Sequence, residues 1–202
     1  MTSSISLALA GLLCLASPAA ADPAAEARAT MEGTISQVLV ILDDGSLSLP
    51  AKKDRIQKIA YERFDFETMS KLVLKKDWKA FDPAQQQEFV TQFREHLSAR
   101  YSENLGKYDK QRVEIVGQRA ESNGDVTVKT VIRGGQYEGT PVDYRLRKGS
   151  GWEVIDVVIE NISLVSSFRQ QFADVLAKSG PTGVLARLKE RNAARAAAKP
   201  AS

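Results

Sequence analysis

From Pro23 to Leu42, apolar residues recur at Met31, Ile35, Val38, Leu39 and Leu42, the three-to-four-residue period of a helix with one buried side. Asp43, Asp44 and Gly45 end it. A second helical segment follows Pro50, with Ile56, Ile59 and Ala60 on one side. A third, short one starts after Asp65, turns Met69, Leu72 and Val73 inward, and finishes before Trp78. The best-marked helix begins at Asp82, an N-cap with Pro83 at the first helical position and Gln85 placed to complete a capping box. Its ladder of Phe89, Phe93, Leu97, Tyr101 and Leu105 repeats every fourth residue, and Gly106 stops it.

Beyond Tyr108 the period shortens to two, and β-rich runs appear at Arg112 to Gln118, Asp125 to Arg133, Thr140 to Lys148 and Gly151 to Glu160. Ser122-Asn123-Gly124, Gly134 to Gly139 and Lys148 to Gly151 supply the turns of an antiparallel meander. One face collects Val126, Val128 and Ile132, then Val142, Tyr144 and Leu146, then Trp152, Val154 and Val158. Strict alternation puts Asp156 on that face and Ile155, Val157 and Ile159 on the other, so the last run is expected to be covered on both sides. A helix resumes near Ser163 with Leu164, Val165, Phe168, Phe172, Val175 and Leu176 as one stripe, stops at Ser179-Gly180, and is followed by a short helix from Pro181. Helices, a sheet of about four strands, then closing helices describe an α+β fold with a helical lobe against the sheet.

The segment Met1 to Ala21 has no charged side chain, and its apolar stretch from Ile5 to Leu15 is too short to span a bilayer as a helix. Pro18 breaks that stretch, and Ala19 and Ala21 provide the small residues of a cleavage site, so residues 1–21 read as a signal peptide. Residues 22–191 form one domain, and the Ala-rich end, 192–202, is expected to be a disordered tail. The only cysteine, Cys14, falls within the signal segment, so no disulfide supports the fold.

The formal charge of +3 is modest, and Lys and Arg mostly alternate with acids, which argues against nucleic acid as a partner. The densest basic run, Arg187, Lys189, Arg191, Arg195 and Lys199, reads as solvated. One histidine, His96, and no cysteine after residue 14 exclude Cys-His nucleophilic pairs and a zinc site built from several His or Cys ligands. His96 sits one position before Leu97, at the edge of the buried stripe, and is expected at the surface or its boundary. Neither a phosphate-binding GxxxxGK[ST] loop nor a dinucleotide fingerprint occurs, and no cofactor is expected. Asp156 could act as a general base of raised pKa beside Tyr144, or as a structural acceptor for a nearby arginine or for backbone amides of the following turn. The structural role is favoured, with Arg145, Arg147 and Arg169 available.

Two stretches carry a resemblance. Residues 64–108, FDFETMSKLVLKKDWKAFDPAQQQEFVTQFREHLSARYSENLGKY, and 151–180, GWEVIDVVIENISLVSSFRQQFADVLAKSG, resemble the periplasmic lipid-carrier family typified by MlaC, also called toluene-tolerance proteins. The matching features are Phe64-Asp65 before a short helix, Leu74 and Trp78 ahead of the Pro-Ala-Gln helix start, Phe89, Phe93 and Tyr101. Trp152, Asp156, Ser163-Leu164-Val165 and Arg169 to Phe172 follow in the same order. Members usually carry glycine where this chain has Lys75 and Asn161, and often tyrosine at Phe168; Asn161 can keep a left-handed turn.

The resemblance implies a curved, nuclear-transport-factor-like sheet that encloses an apolar pocket with the helices, and a monomeric periplasmic carrier that is not an enzyme. Such a carrier shuttles phospholipid between an outer-membrane lipoprotein complex and an inner-membrane ABC transporter. Burial of the tails is the physical need, because each methylene exposed to water costs about 0.8 kcal/mol. Met69, Leu72, Val73, Phe93, Leu97, Tyr101, Val128, Tyr144, Val154, Leu164, Phe168 and Phe172 are the expected lipid-binding residues, with Asp156 and Arg169 structural. A hopanoid or other polycyclic cargo, and a small isomerase using Asp156 and Tyr144, are the alternative readings.

Overall fold

In the computed structural model, residues 22–198 are described; the expected signal segment with Cys14, and residues 199–202, lie outside them. Each helix starts where the sequence supplies a cap. Asp22 accepts from the Ala24 amide (3.0 Å) ahead of α1, Pro23–Asp43, and Ser48 accepts from Ala51 ahead of α2, Leu49–Arg63. Asp65 accepts from Thr68 (2.8 Å) ahead of α3, Phe66–Leu74, which passes into a 3-10 turn over Lys75–Ala80. At α4, Pro83–Ser102, both halves of the capping box form: the Gln85 amide donates to Asp82 (2.8 Å), and the Asp82 amide donates to the Gln85 side chain (3.1 Å). A second 3-10 turn, Glu103–Lys107, leads into the sheet.

The sheet is an antiparallel meander in chain order: β1 Arg112–Ala120, β2 Val126–Arg133, β3 Pro141–Lys148, β4 Trp152–Ile159 and β5 Ile162–Ser163. The fifth strand adds to the four expected. It is two residues long and is reached through Glu160 and Asn161, both at positive φ (48° and 65°), so the asparagine holds the left-handed turn. Phe64 lies against the opposite end of β4, and the Asp65 amide donates to the Val154 carbonyl (3.0 Å), which covers the part of that edge β5 does not reach.

Strict alternation fails in β4. Arg145 faces Asp156 and Leu146 faces Val154, so Ile155 is an extra residue, and this bulge resets the side-chain alternation. Val157 and Ile159 therefore join Trp152 and Val154 against α1, while Asp156 turns to the other side, contrary to the expected pattern. A similar extra residue, Val116, interrupts β1 and is half exposed.

Two separate apolar clusters result. One lies between α1 and the sheet, where Ala24, Ala27 and Met31 meet Val126, Val128, Leu146, Trp152, Val154 and Val157. Glu26 fastens that helix start by accepting from Trp152 Nε1 (3.0 Å) and Lys148 Nζ (2.6 Å). The other fills the space between α3, α4 and α5, Leu164–Ala197, around stacked and edge-on rings of Phe89, Phe93, Phe168 and Phe172.

Helix α5 breaks at Gly180 (φ 59°, ψ −161°), before Pro181, so Val184, Leu185 and Leu188 fold back into the same cluster as Phe168 and Phe172. A side chain at Gly183 would collide with Ser179, which is why the two halves can meet so closely. Of the expected tail, 192–202, the residues up to Ala197 are helical, and 199–202 lie outside the described residues. Helix α5 continues to Ala197, and the Asn192 side chain donates to the Gln92 carbonyl (3.0 Å) and meets His96 Nδ1 (3.0 Å). Two residues of the basic run are paired: Lys189 with Glu88, and Arg195 with Glu103 (3.3 Å). His96 is buried, with its ring edge-on to Phe168, and burial pushes its pKa down; it is not the boundary residue its position beside the stripe suggested.

Candidate functional site

Between α1, α2 and the face of the sheet that α1 covers lies a cavity of about 500 Å³. Met31, Ile35, Val38, Leu39 and Leu42 of α1 form one wall, and Ile56, Ile59 and Ala60 of α2 a second. Val113, Ile132, Val142, Tyr144 and Ile159 of the sheet form the third. Phe64, Tyr101 and Leu105 complete the apolar lining. The clearest sign that this space is not closed by protein is α2, in which no residue is fully buried, although three apolar side chains point to the interior.

The polar part of the lining is concentrated. Lys107, Tyr108 and Gln111 come from the segment before β1, and Tyr137 and Thr140 from the β2–β3 connection. The two segments touch, because the Gln111 side chain packs on Gly135. Tyr108 donates to Asp43 (2.7 Å) and accepts from Arg112 (2.8 Å), which fastens this rim to the end of α1. Thr34 is the exception on the α1 wall, and its hydroxyl is spent on the Thr30 carbonyl (2.8 Å). Lys107 is the only charged residue of the lining. The cavity thus has an apolar body and one polar end.

Tyr144 shows what the cavity does to a side chain. Burial pushes its pKa up to about 12; it packs against the cluster between the sheet and α1 and keeps some accessible surface where it lines the cavity. Burial also raises Tyr101. These two are the expected binding residues that line the cavity.

The other expected residues lie elsewhere. Met69, Val73, Phe93, Leu97, Phe168 and Phe172 are buried in the filled helical cluster, with Leu72 packed on it. Val128 and Val154 are buried between the sheet and α1, with Leu164 against them. They contact other side chains, not the cavity, since the space among the helices is already occupied by phenylalanine rings. The residues that do form the walls were visible as apolar stripes of α1 and α2. The usable signal was the thinness of the second stripe, three residues flanked by charges.

Asp156 and Tyr144 do not meet. The Asp156 carboxylate accepts from Ser163 Oγ (2.6 Å) and the Val165 amide (3.1 Å), with Arg145 at 3.8 Å, so it anchors the start of α5. Arg169 donates to the Leu72 carbonyl (2.8 Å) and ties α5 to the end of α3. Among the described residues no cluster of three or more His, Cys, Asp or Glu could hold a metal ion, and no helix is long and apolar enough to cross a membrane.

The family model described as MlaC protein matches residues 32–190. A toluene tolerance protein, ttg2D, of Pseudomonas putida is 26% identical over 129 residues, which cover 63% of this chain and 60% of that relative. Among solved structures, a phospholipid-binding protein from Ralstonia solanacearum, in complex with a phospholipid, superposes with a TM-score of 0.76 at 30% identity. That match covers 85% of this chain and 99% of the other.

Proposed function

Taking as premise that this chain belongs to the MlaC protein family, we propose that it carries a phospholipid with the acyl chains in the cavity between α1, α2 and the sheet. The observation that carries this reading is the polarity of the walls: apolar, with Thr34 bonded within its own helix, except for one end built from Lys107, Tyr108, Gln111, Tyr137 and Thr140. Such a shape suits a molecule with a long hydrocarbon part and a polar head. The phospholipid held by the similar Ralstonia protein has that chemistry.

The energetics favour a filled site. The cavity is open, so without cargo its apolar walls face water. A hydrocarbon cargo covers them and gains about 0.8 kcal/mol per methylene withdrawn from water. The protein supplies shape and dryness, and no proton transfer is needed. Asp156 is committed to the start of α5 and lies outside the cavity lining, which leaves the isomerase reading without its base.

In this proposal residues 1–21 direct export to the periplasm, and the rest of the chain crosses it as a monomeric carrier between an outer-membrane lipoprotein complex and an inner-membrane ABC transporter. Contact with either complex would open the weakly packed α2 wall. The test is to express the chain with residues 1–21, release the periplasmic contents, purify it, and identify its cargo by native mass spectrometry. One diacyl lipid per chain is the expected result; a polycyclic lipid would replace the phospholipid by a hopanoid-type cargo, and an empty protein would end the carrier reading.

A further inference from the structure

The five side chains at the polar end of the cavity differ in how much of their hydrogen-bonding capacity the protein itself uses. Tyr108 is spent on Asp43 and Arg112. Gln111 is half spent: it is only 8% exposed, its Oε1 accepts from the Asp109 amide (2.7 Å), and its Nε2 has no partner among the described residues. A carboxamide held by its oxygen keeps two N–H donors to give, and a buried donor is expected to find an acceptor. Room for it comes from Gly135, at φ 64°, because a Cβ there would collide with Nε2. Tyr137 and Thr140 follow on the same connection and bring hydroxyls to this end. Lys107 ends the 3-10 turn ahead of β1 and forms no ion pair among the described residues.

No carboxylate lines the cavity. Of those nearby, Asp43 is held by Tyr108 and Arg112, Glu138 by the Gly134 amide and Arg133 (3.5 Å), and Asp109 is exposed outside the lining. What remains unspent is an ammonium, a carboxamide nitrogen and two hydroxyls. Two of these can only donate, and one of the two is charged, so their complement is a group that only accepts and is negative. The phosphate of a diacyl lipid is such a group. The hydroxyl of a diacylglycerol or of a polycyclic alcohol is not, since it brings a donor of its own and no charge.

We infer that Lys107 Nζ and Gln111 Nε2 form a cradle for the phosphate oxygens of the cargo, so that the chain takes a phosphate-bearing lipid in preference to a neutral one with the same tails. This rests on the carrier reading and adds to it the part of the cargo that is recognised. The test is a competition: the wild-type chain and its variants are incubated with mixed micelles of dimyristoylphosphatidic acid and dimyristoylglycerol, which differ only in the phosphate. After repurification both bound lipids are quantified by mass spectrometry, and folding is checked by circular dichroism. Lys107→Met removes the charge at an exposed position, and Gln111→Glu keeps the oxygen that the Asp109 amide bonds while replacing the donor nitrogen by an acceptor. Each should lower the ratio of bound phosphatidic acid to diacylglycerol by about tenfold, the worth of one charge-assisted hydrogen bond, and total lipid per chain should hold because the tails still fill the cavity. Gly135→Ala, which leaves both side chains but pushes Nε2 aside, should move the ratio the same way. Ala60→Trp, which occupies the space of the tails, should lower the total and leave the ratio unchanged. A wild-type chain that takes up both lipids equally, or a ratio that neither Lys107→Met nor Gln111→Glu lowers, overturns the inference and leaves the carrier reading standing. A wild-type chain that takes up neither lipid removes both.

Discussion

The ladder of Phe89, Phe93, Leu97, Tyr101 and Leu105 passes from one kind of interior to another. Its first three rungs end among the rings of Phe168 and Phe172, where every apolar surface meets another, and its last two stand on the wall of a void. Five residues of the same chemistry at the same spacing thus serve opposite ends. The filled half gives the molecule a reason to fold without cargo, which lets the other half remain open. A protein that only had to be stable would have closed both.

The largest test of that contrast is Phe93→Ala. In the filled half it leaves a cavity among fixed neighbours and should cost about 3–5 kcal/mol in urea unfolding, with or without lipid present. Loss of less than about 1 kcal/mol would mean the helical cluster is not the structural half. Ala60→Trp is the converse. Added to a packed core, such bulk costs about 1–3 kcal/mol, but here it enters empty space, so unfolding should change by less than about 1 kcal/mol while lipid retention falls at least about tenfold.

Lys75 probes how firmly the filled half holds its edges. It terminates α3 at φ 50° and ψ −124°, a conformation suited to glycine, and Lys75→Gly should raise stability by about 1 kcal/mol, measured as a higher urea midpoint.

The smallest effect concerns Asp125, at the far end of the sheet from the cavity's polar rim. Burial pushes its pKa up, but bonds from Arg147 (2.7 and 2.9 Å) and Asn123 (2.9 Å) outweigh that, and the net shift is downward. A carboxylate lowered on folding contributes stability above its unfolded value near 4 and loses it as pH falls through the folded one. Asp125→Asn should therefore be less stable than wild type at pH 6, with the difference shrinking below about pH 4. A gap that stays constant with pH would show that the carboxylate's charge is not what Arg147 recognises.

Much of the architecture could be read from residues. Asp22, Asp65 and Asp82 cap the helices they precede, Gly180-Pro181 breaks the last helix, and the turns fall where the glycines stand. The cavity could not be placed, because apolar periodicity reports which side of a helix avoids water and not whether a partner waits there. Ile59 facing a void and Phe93 facing a ring leave the same mark. The bulge at Ile155 was hidden for a related reason: in the run Val154-Ile155-Asp156-Val157-Val158, so many apolar neighbours make a skipped beat in the alternation invisible. His96 and Asn192 were misplaced because their burial depends on each other across 96 positions, a pairing that neither local stretch announces.

Helix α2 is fastened by a few polar contacts and not by burial. Lys52 Nζ reaches the Leu42 carbonyl (2.6 Å) and Gln57, near the centre, reaches Ser98 (2.6 Å), but none of its residues is fully buried. Among the partial openings through which a folded chain exchanges its amide hydrogens, residues 49–63 should release first, well before global unfolding. Cargo under that helix would slow their exchange in proportion to occupancy, so the labelling rate of a single segment becomes a meter for how much of the protein is loaded.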